Sequence, residues 1–342
     1  MRRLLYIAST VAFTTVLALF SLLHYANTPA GPVTGRGKLV VIPKAATLAD
    51  IEKILVEQGV LADDLRFALT ARLFGMSRSL KAGEYLMQAG SAPIQVLNLL
   101  AAGRTYHHRI TITEGATMEG IAAILEGAGW INGDRFLQLA RDPDLLESLA
   151  VPADSLEGYL FPDTYSFGKG EQDELGILTM MVSRLRRVVK ELEQETGEKI
   201  GDQRLHRMLT LASIVEKETS VDEEMPLIAG VFFNRLEKKM RLQADPTVIY
   251  GLDEFNGRLH RRDLAVDSPY NTYRISGLPP GPIASPGKNA IRSVLAPLAH
   301  DYFYFVASGD GITHRFSCNL EEHNRAVTML RTKKRQKKQS DS

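Results

Sequence analysis

The chain has 342 residues, 44% of them hydrophobic and 24% charged, a composition suited to folded protein with room for two domains. A formal net charge of +1 gives no global basic or acidic field, so composition points to no nucleic-acid partner. Cys318 is the single cysteine, which excludes an intrachain disulfide and a cysteine-based zinc cluster, and no Gly-rich phosphate loop is present.

After Met1, Arg2 and Arg3, residues 4–23 carry no charge. An apolar run of ~20 residues matches the hydrocarbon thickness of a bilayer, whereas the apolar core of a cleaved signal peptide is usually ~7–15. The best candidate cleavage site, Thr28-Pro29-Ala30, has a proline at its centre. Residues 1–26 therefore read as an uncleaved, single-pass transmembrane anchor. Arg2 and Arg3 would keep the N-terminus cytoplasmic and place the rest across the inner membrane, in the periplasm or cell exterior of a bacterium. Residues 27–37 are rich in Gly and Pro and read as a linker.

Residues 40–61 and 110–131 align without gaps at an offset of 70, with Ala46/Ala116, Thr47/Thr117, Ile51/Ile121, Ile54/Ile124, Leu55/Leu125 and Gly59/Gly129 identical. The likeness runs on to Leu69/Leu139, and residues 80–87 are loosely echoed at 156–161. Each copy reads strand, turn and a helix opened by a threonine cap and closed by a glycine, then a second short helix. Two copies are too few for a solenoid. The fold class expected is α+β: a small strand–helix–helix–strand module over 38–106 and a larger mixed domain over 107–330. Modules of this shape include glycan-binding ones of the LysM kind, a fold-level analogy; a plain spacer fits the same residues.

Residues 171–200 read as a charged amphipathic helix and 222–240 as another, with Leu227, Ile228, Val231, Phe232 and Leu236 facing inward. Between them, residues 205–219 (LHRMLTLASIVEKET) are apolar around most of a helix. The consistently polar row is His206, Thr210, Ser213 and Lys217. At the end of this helix stand Glu216 and Glu218. A carboxyl held against apolar surface has its ionised form disfavoured, which suits a general acid near neutral pH. A solvated helix end with two ordinary glutamates is the plainer reading. The two side chains lie about 200° apart around the helix, so one of them can face a given cleft, and periodicity does not choose which.

Residues 241–287 are rich in Pro and Gly, mixed with Gln243, Asp245, Thr247, Asn271, Thr272 and Tyr273. Structured loops carrying aromatic and amide groups suit sugar binding, and a rigid connection between core elements is the competing use. Residues 302–307 read as an aromatic strand, 314–327 lead into a last helix, and the basic stretch 331–342 reads as a disordered tail. Ser285 and Lys288 spell S-x-x-K, but its partner motifs S-D-N and K-T-G are missing. His314 and His323 with Glu321 and Glu322 lack the spacing of a zinc site, so neither metal nor cofactor is expected.

The runs LASIVEKET (211–219), EGYLFPDTY (157–165), LQADPTVIYG (242–251), YNTY (270–273), GLPPGPI (277–283) and the closing His314, Phe316, Ser317, Glu322, His323, Asn324 resemble, in order and spacing, the endolytic murein transglycosylases of the MltG/YceG-like family. The likeness covers about residues 40–330. One departure is Cys318-Asn319, where a Thr-containing strand is usual. The resemblance implies cleavage of the β-1,4 bond between N-acetylmuramic acid and N-acetylglucosamine in peptidoglycan, leaving a 1,6-anhydromuramic end. It implies Glu218 as the catalytic acid/base. Glu218 would protonate the leaving oxygen and then, as carboxylate, take the proton of the sugar's own 6-hydroxyl as the ring closes. An intramolecular nucleophile explains why the two carboxyls of ordinary glycosidases are not both required. Gln243, Asp245, Asn271 and Tyr273, with Glu157 and Asp163, are the expected substrate-binding residues. Expected partners are peptidoglycan strands, the membrane, and the penicillin-binding proteins that synthesise new glycan. A hydrolytic muramidase and a non-catalytic wall scaffold are the alternatives.

Overall fold

The structure, a computed structural model, describes residues 2–29, 37–168 and 172–340. It divides into two compact units, Met1–Arg109 with Ser166–Gln172 and Ile110–Tyr165 with Asp173–Ser342.

The first unit opens with α1 (Arg2–Asn27), whose stretch Leu5–Asn27 is long and apolar enough to cross a membrane. At 1.5 Å per residue it spans ~34 Å, against ~30 Å of hydrocarbon. Its apolar side chains are exposed until Tyr25 and Ala26, which are buried, and the Arg66 guanidinium lies 4.2 Å from the Tyr25 ring centroid. Then come β1 (Lys38–Ile42), α2 (Leu48–Glu57), α3 (Arg66–Leu73), β2 (Gly83–Met87) and α4 (Pro93–Ala102), and β3 (His107–Thr111) leads the chain into the second unit. β1 runs antiparallel to β2 with Val40 opposite Tyr85. Alternation puts Val40, Ile42, Tyr85 and Met87 inside, where they meet Ile51 and Leu55 of α2, Phe67 of α3 and Leu97 and Leu100 of α4.

The second unit begins with the second copy of the repeat. Its helix α5 (Met118–Gly127) lies 70 residues after α2, is capped by Thr117 as α2 is by Thr47, and is followed by Gly129 at φ 74°, the counterpart of Gly59 at φ 69°. α6 (Gly133–Leu139) and α7 (Pro143–Ser148) follow, then β4 (Thr164–Gly168), which pairs with β3. The loose echo at 156–161 is not a strand. Those residues form a buried turn, because Gly158 takes φ 78° and closes against Pro282.

α8 (Glu174–Thr196) is capped by Asp173 and buries Ile177, Leu178, Met181, Val182, Leu185, Val188, Val189 and Leu192. Residue 171, where the sequence suggests a start, lies outside the described residues. α9 (Asp202–Glu218) is the central helix and packs on α10 (Met225–Glu237), α11 (Asp245–Tyr250) and α12 (Lys288–Leu295). Pro226 at the second helical position sets the start of α10 later than composition suggests. The polar row of α9 is not a solvated face: Thr210 and Ser213 are buried. The Thr210 hydroxyl bonds back to the His206 carbonyl, and Ser213 Oγ donates to the Thr210 carbonyl while accepting the Ile283 N–H at 3.0 Å. His206 uses its ring nitrogens on the Tyr159 hydroxyl and the Pro280 carbonyl. The Pro-rich segment thus lies along this row and satisfies it.

The hairpin β5 (Tyr304–Ala307) and β6 (His314–Ser317) pairs Phe305 with Phe316, and α13 (Leu320–Ser340) packs on both strands. The basic stretch from 331, expected to be disordered, continues this helix to Ser340. Lys, Arg and Gln are good helix formers and need no packing partner to prolong a helix already nucleated.

A β-carbon at Gly158 would sit 2.2 Å from Pro282 Cβ on a backbone at φ 78°. Gly158→Ala should therefore lower unfolding free energy by about 2–4 kcal/mol, read by urea denaturation; an unchanged midpoint would contradict this packing.

Candidate active site

The end of α9 projects into a cavity of about 340 Å³, all within the second unit. Glu218, Arg235, Gln243, Asp245, Tyr273, Tyr304, Phe305, His314 and His323 line it. Glu218 is the last helical residue, and Thr219 is already extended at φ −146°. Burial pushes the Glu218 carboxyl up to about 8, the Asp245 charge adds to the rise, and Arg235 opposes it. A helix C-terminus acts in the same direction, since it disfavours negative charge. No hydrogen bond from a described residue reaches this carboxyl to offset those effects.

Glu216 takes the opposite side of the helix. Its Oε2 accepts the Gly287 N–H at 3.0 Å, at the start of α12, and burial raises its carboxyl. Lys217 between them donates to the Gly115 carbonyl at 3.2 Å.

Arg235 is buried, and among the described residues its hydrogen bonds go to backbone carbonyls. Its Nε donates to the Phe303 carbonyl and its Nη1 to the Leu242 carbonyl, each at 2.6 Å, and the guanidinium carbon lies 5.2 Å from the Tyr304 ring centroid. The side chain ties α10 to the hairpin and to the strand of loop before α11. A charge here was absent from the inward stripe drawn from the sequence. Yet Arg235 follows Val231 by four residues, on the stripe itself, and a charge at such a position is the signal that finds it.

Gln243 and Asp245 enter the cavity from a tightly held turn. Gln243 has φ 50°, a left-handed backbone that costs a non-glycine residue about 1–2 kcal/mol. The neighbours that hold it are buried threonines. Gln243 N–H donates to the Thr272 carbonyl, Ala244 N–H to the Thr272 hydroxyl, and the Thr247 and Thr272 hydroxyls meet at 2.8 Å. Asp245 accepts the Tyr273 hydroxyl at 2.7 Å.

The other expected binding residues stand elsewhere. Asn271 is buried; its amide donates to the Leu264 and Val266 carbonyls, and its Oδ1 accepts the Tyr273 N–H at 3.0 Å. It shapes the loop that carries Tyr273 and does not line the cavity. Glu157 is buried, accepts the Met118 N–H through both oxygens at 3.2 Å and the Tyr250 hydroxyl at 3.3 Å, and is pushed up to about 7 by burial. Asp163 pairs with Arg184 Nε at 2.6 Å and caps the Thr164 N–H, which fastens the start of β4 to α8.

The cavity therefore holds a carboxyl kept neutral at pH 7, a second carboxylate fixed by a tyrosine, and a buried guanidinium. Such an arrangement can supply a proton to a polar ligand.

A model of the YceG-like family matches residues 40–329, and the chain belongs to this family. An endolytic murein transglycosylase of Bacillus subtilis is 33% identical over 311 residues, covering 86% of this chain and 85% of the relative. One of Streptococcus pneumoniae is 31% identical over 86% of this chain and 59% of its own greater length. A crystal structure of a putative yceG-like protein from Listeria monocytogenes superposes with a TM-score of 0.58 at 32% identity, covering 85% of this chain and 99% of that one.

Glu218 binds a proton more tightly folded than unfolded, since its carboxyl rises from 4.5 to about 8. Between those values the folded state holds more protons, so this group lowers stability as pH rises through the window. Glu218→Gln removes the titration. The variant should gain on the order of 4 kcal/mol over wild type between pH 5 and pH 8.5 in parallel denaturant melts; a constant difference across that range would refute the raised value.

Proposed function

We propose that the protein is a membrane-anchored endolytic lytic transglycosylase of peptidoglycan, with Glu218 as its catalytic acid. The observation that carries this reading is the neutral carboxyl of Glu218 in a sugar-sized polar cavity. The relatives known as endolytic murein transglycosylases support the substrate.

In this reading Glu218 gives its proton to the glycosidic oxygen between N-acetylmuramic acid and N-acetylglucosamine. Positive charge develops on the anomeric carbon, and the carboxylate of Asp245, held by the Tyr273 hydroxyl, faces it. The muramic 6-hydroxyl attacks that carbon, a 1,6-anhydro end forms, and the hydroxyl's proton restores Glu218. Gln243 and Tyr273 hold the sugar hydroxyls. Arg235 lowers the cost of the transient Glu218 carboxylate without pairing with it.

The helix α1 anchors the chain in the inner membrane with its N-terminus cytoplasmic and the catalytic unit periplasmic. The strand–helix–helix–strand module is a LysM-like glycan contact. A cutter tethered in this way meets strands as the penicillin-binding synthases extend them, and so limits the length of nascent glycan.

Digestion of purified peptidoglycan, with mass spectrometry of the ends, tests the chemistry. Wild type should leave anhydro ends, one water lighter than the reducing ends of a muramidase. Glu218→Gln should lower kcat by at least about 10³-fold while remaining folded, and Glu216→Gln should lower it far less. Full activity in Glu218→Gln would remove Glu218 from the catalytic role, and a wild type that cleaves nothing would leave the protein as a non-catalytic scaffold.

The pH profile follows from the same group. The acid must be protonated, so kcat/KM should fall as pH rises through about 8. Asp245→Asn removes a charge that holds Glu218 up, and the basic limb of its residual activity should move to lower pH. A limb that stays in place would dissociate Asp245 from the acid.

A further inference from the structure

The cavity contains a second group built for proton transfer. His314, the first residue of β6, lines the same cavity as Glu218. Glu224, buried at the start of α10, grips this residue twice: Oε1 accepts the His314 backbone N–H and Oε2 meets the ring Nδ1, each at 2.7 Å. A carboxylate can only accept, so Nδ1 carries a hydrogen, and the tautomer this selects has its lone pair on Nε2. The grip on the backbone and the edge contact of the Phe305 ring, 5.5 Å between centroids, leave the imidazole one orientation.

Nε2 is the free end. It makes no hydrogen bond to a described residue, and the unpaired side-chain atoms sealed from solvent among those residues are on Tyr25, Ser285 and His323. Nε2 therefore opens onto the cavity. Glu224 also receives the hydroxyl of Thr219, the residue after Glu218, at 3.4 Å, so one carboxylate fixes both the imidazole and the turn behind the acid.

The other cavity groups are poor bases for a sugar hydroxyl. Arg235 only donates. Asp245 is occupied by Tyr273, and His323 stacks on Tyr304 with its Nδ1 sealed and unpaired, burial holding its ring below the usual imidazole range.

We propose that His314, held in one tautomer by Glu224, is a second catalytic residue, whose Nε2 accepts the proton of the attacking 6-hydroxyl. The inference rests on the lytic reading of the site and gives the hydroxyl's proton a route. As the bond from the anomeric carbon to the leaving oxygen breaks, the Glu218 proton goes to that oxygen. As the bond from the same carbon to O6 forms, the O6 proton goes to Nε2. Water in the cavity then carries it from the imidazolium to the Glu218 carboxylate, and the cycle closes with no net proton taken up. The imidazole also orients the hydroxyl, and orientation is what favours ring closure over attack by water.

Product ends and kinetics on purified glycan strands test this with wild type, His314→Gln and Glu224→Gln. In His314→Gln, kcat should fall about 10²–10⁴-fold with little change in KM, and reducing ends should appear at the expense of anhydro ends. In Glu224→Gln the new amide N–H faces Nδ1 and favours the opposite tautomer, so the same two changes should appear in milder form. A folded His314→Gln with wild-type kcat and purely anhydro ends would overturn the proposal. If that variant does not fold, unchanged kcat and products in a folded Glu224→Gln overturn it equally. A wild type that leaves no anhydro ends overturns instead the lytic reading beneath it.

Discussion

A buried carboxyl that receives no hydrogen bond from any described residue, at the blunt end of a buried helix, is the arrangement on which the second unit depends. Glu218 is unfavourable where it stands: burial, the neighbouring charge of Asp245 and the end of α9 all act against its ionised form. Such a position persists only if the helix cannot withdraw. α9 is fixed along its length, by Ser213 to Ile283, by Glu216 to Gly287, by Lys217 to Gly115, and through Thr219 to Glu224. Each bond reaches a different segment, so moving the end of α9 would break several at once.

The guanidinium of Arg235, which lines the same cavity, is deployed in a way that preserves this. Had Arg235 formed a bidentate pair with Glu218, the carboxyl would have been ionised well below neutral pH and useless as an acid. Its donors are spent on the Phe303 and Leu242 carbonyls instead. The guanidinium thus supplies positive potential at a distance while bracing the hairpin and the turn before α11. The same economy governs Gln243, whose left-handed backbone persists because Thr247 and Thr272 bond every group around it.

What could be read from the sequence follows the range of the forces involved. Caps and periodicity are local, and Thr47, Thr117 and the apolar faces of α8 and α9 stand where spacing places them. The apolar length of α1 is equally local. The polar row of α9 stands out in the sequence, but two of its partners, Ile283 and Pro280, lie about 70 residues away along the chain, beyond any local pattern. Asn271, Glu157 and Asp163 have the chemistry of sugar ligands, but Asn271 is spent on carbonyls of its own loop, and Glu157 and Asp163 on Met118 and Arg184, 39 and 21 residues away. Arg235 and the Glu224–His314 pair belong to the site through contacts between α10 and the hairpin that no window of sequence contains. The choice of Glu218 over Glu216 rested on family resemblance; in three dimensions the two differ by which loop each side of α9 meets.

The repeat shows how the unit carrying the acid acquired this long-range character. In the first copy Thr47 and Asp50 cap α2 reciprocally, the Asp50 carboxylate taking the Thr47 N–H at 2.9 Å. Seventy residues on, the position of Asp50 is Gly120, which has no carboxylate to return. Thr117 still receives the Gly120 N–H, but the first turn of α5 is completed by Glu157, which accepts the Met118 N–H from 39 residues away. Glu157 also holds the hydroxyl of Tyr250, at the end of the helix α11 that begins with Asp245. A cap that is closed and local in one copy is open in the other, and a buried acid fills it. The cost is a carboxyl raised to about 7. The gain is a continuous set of bonds from the repeat, through α11, to the carboxylate facing Glu218.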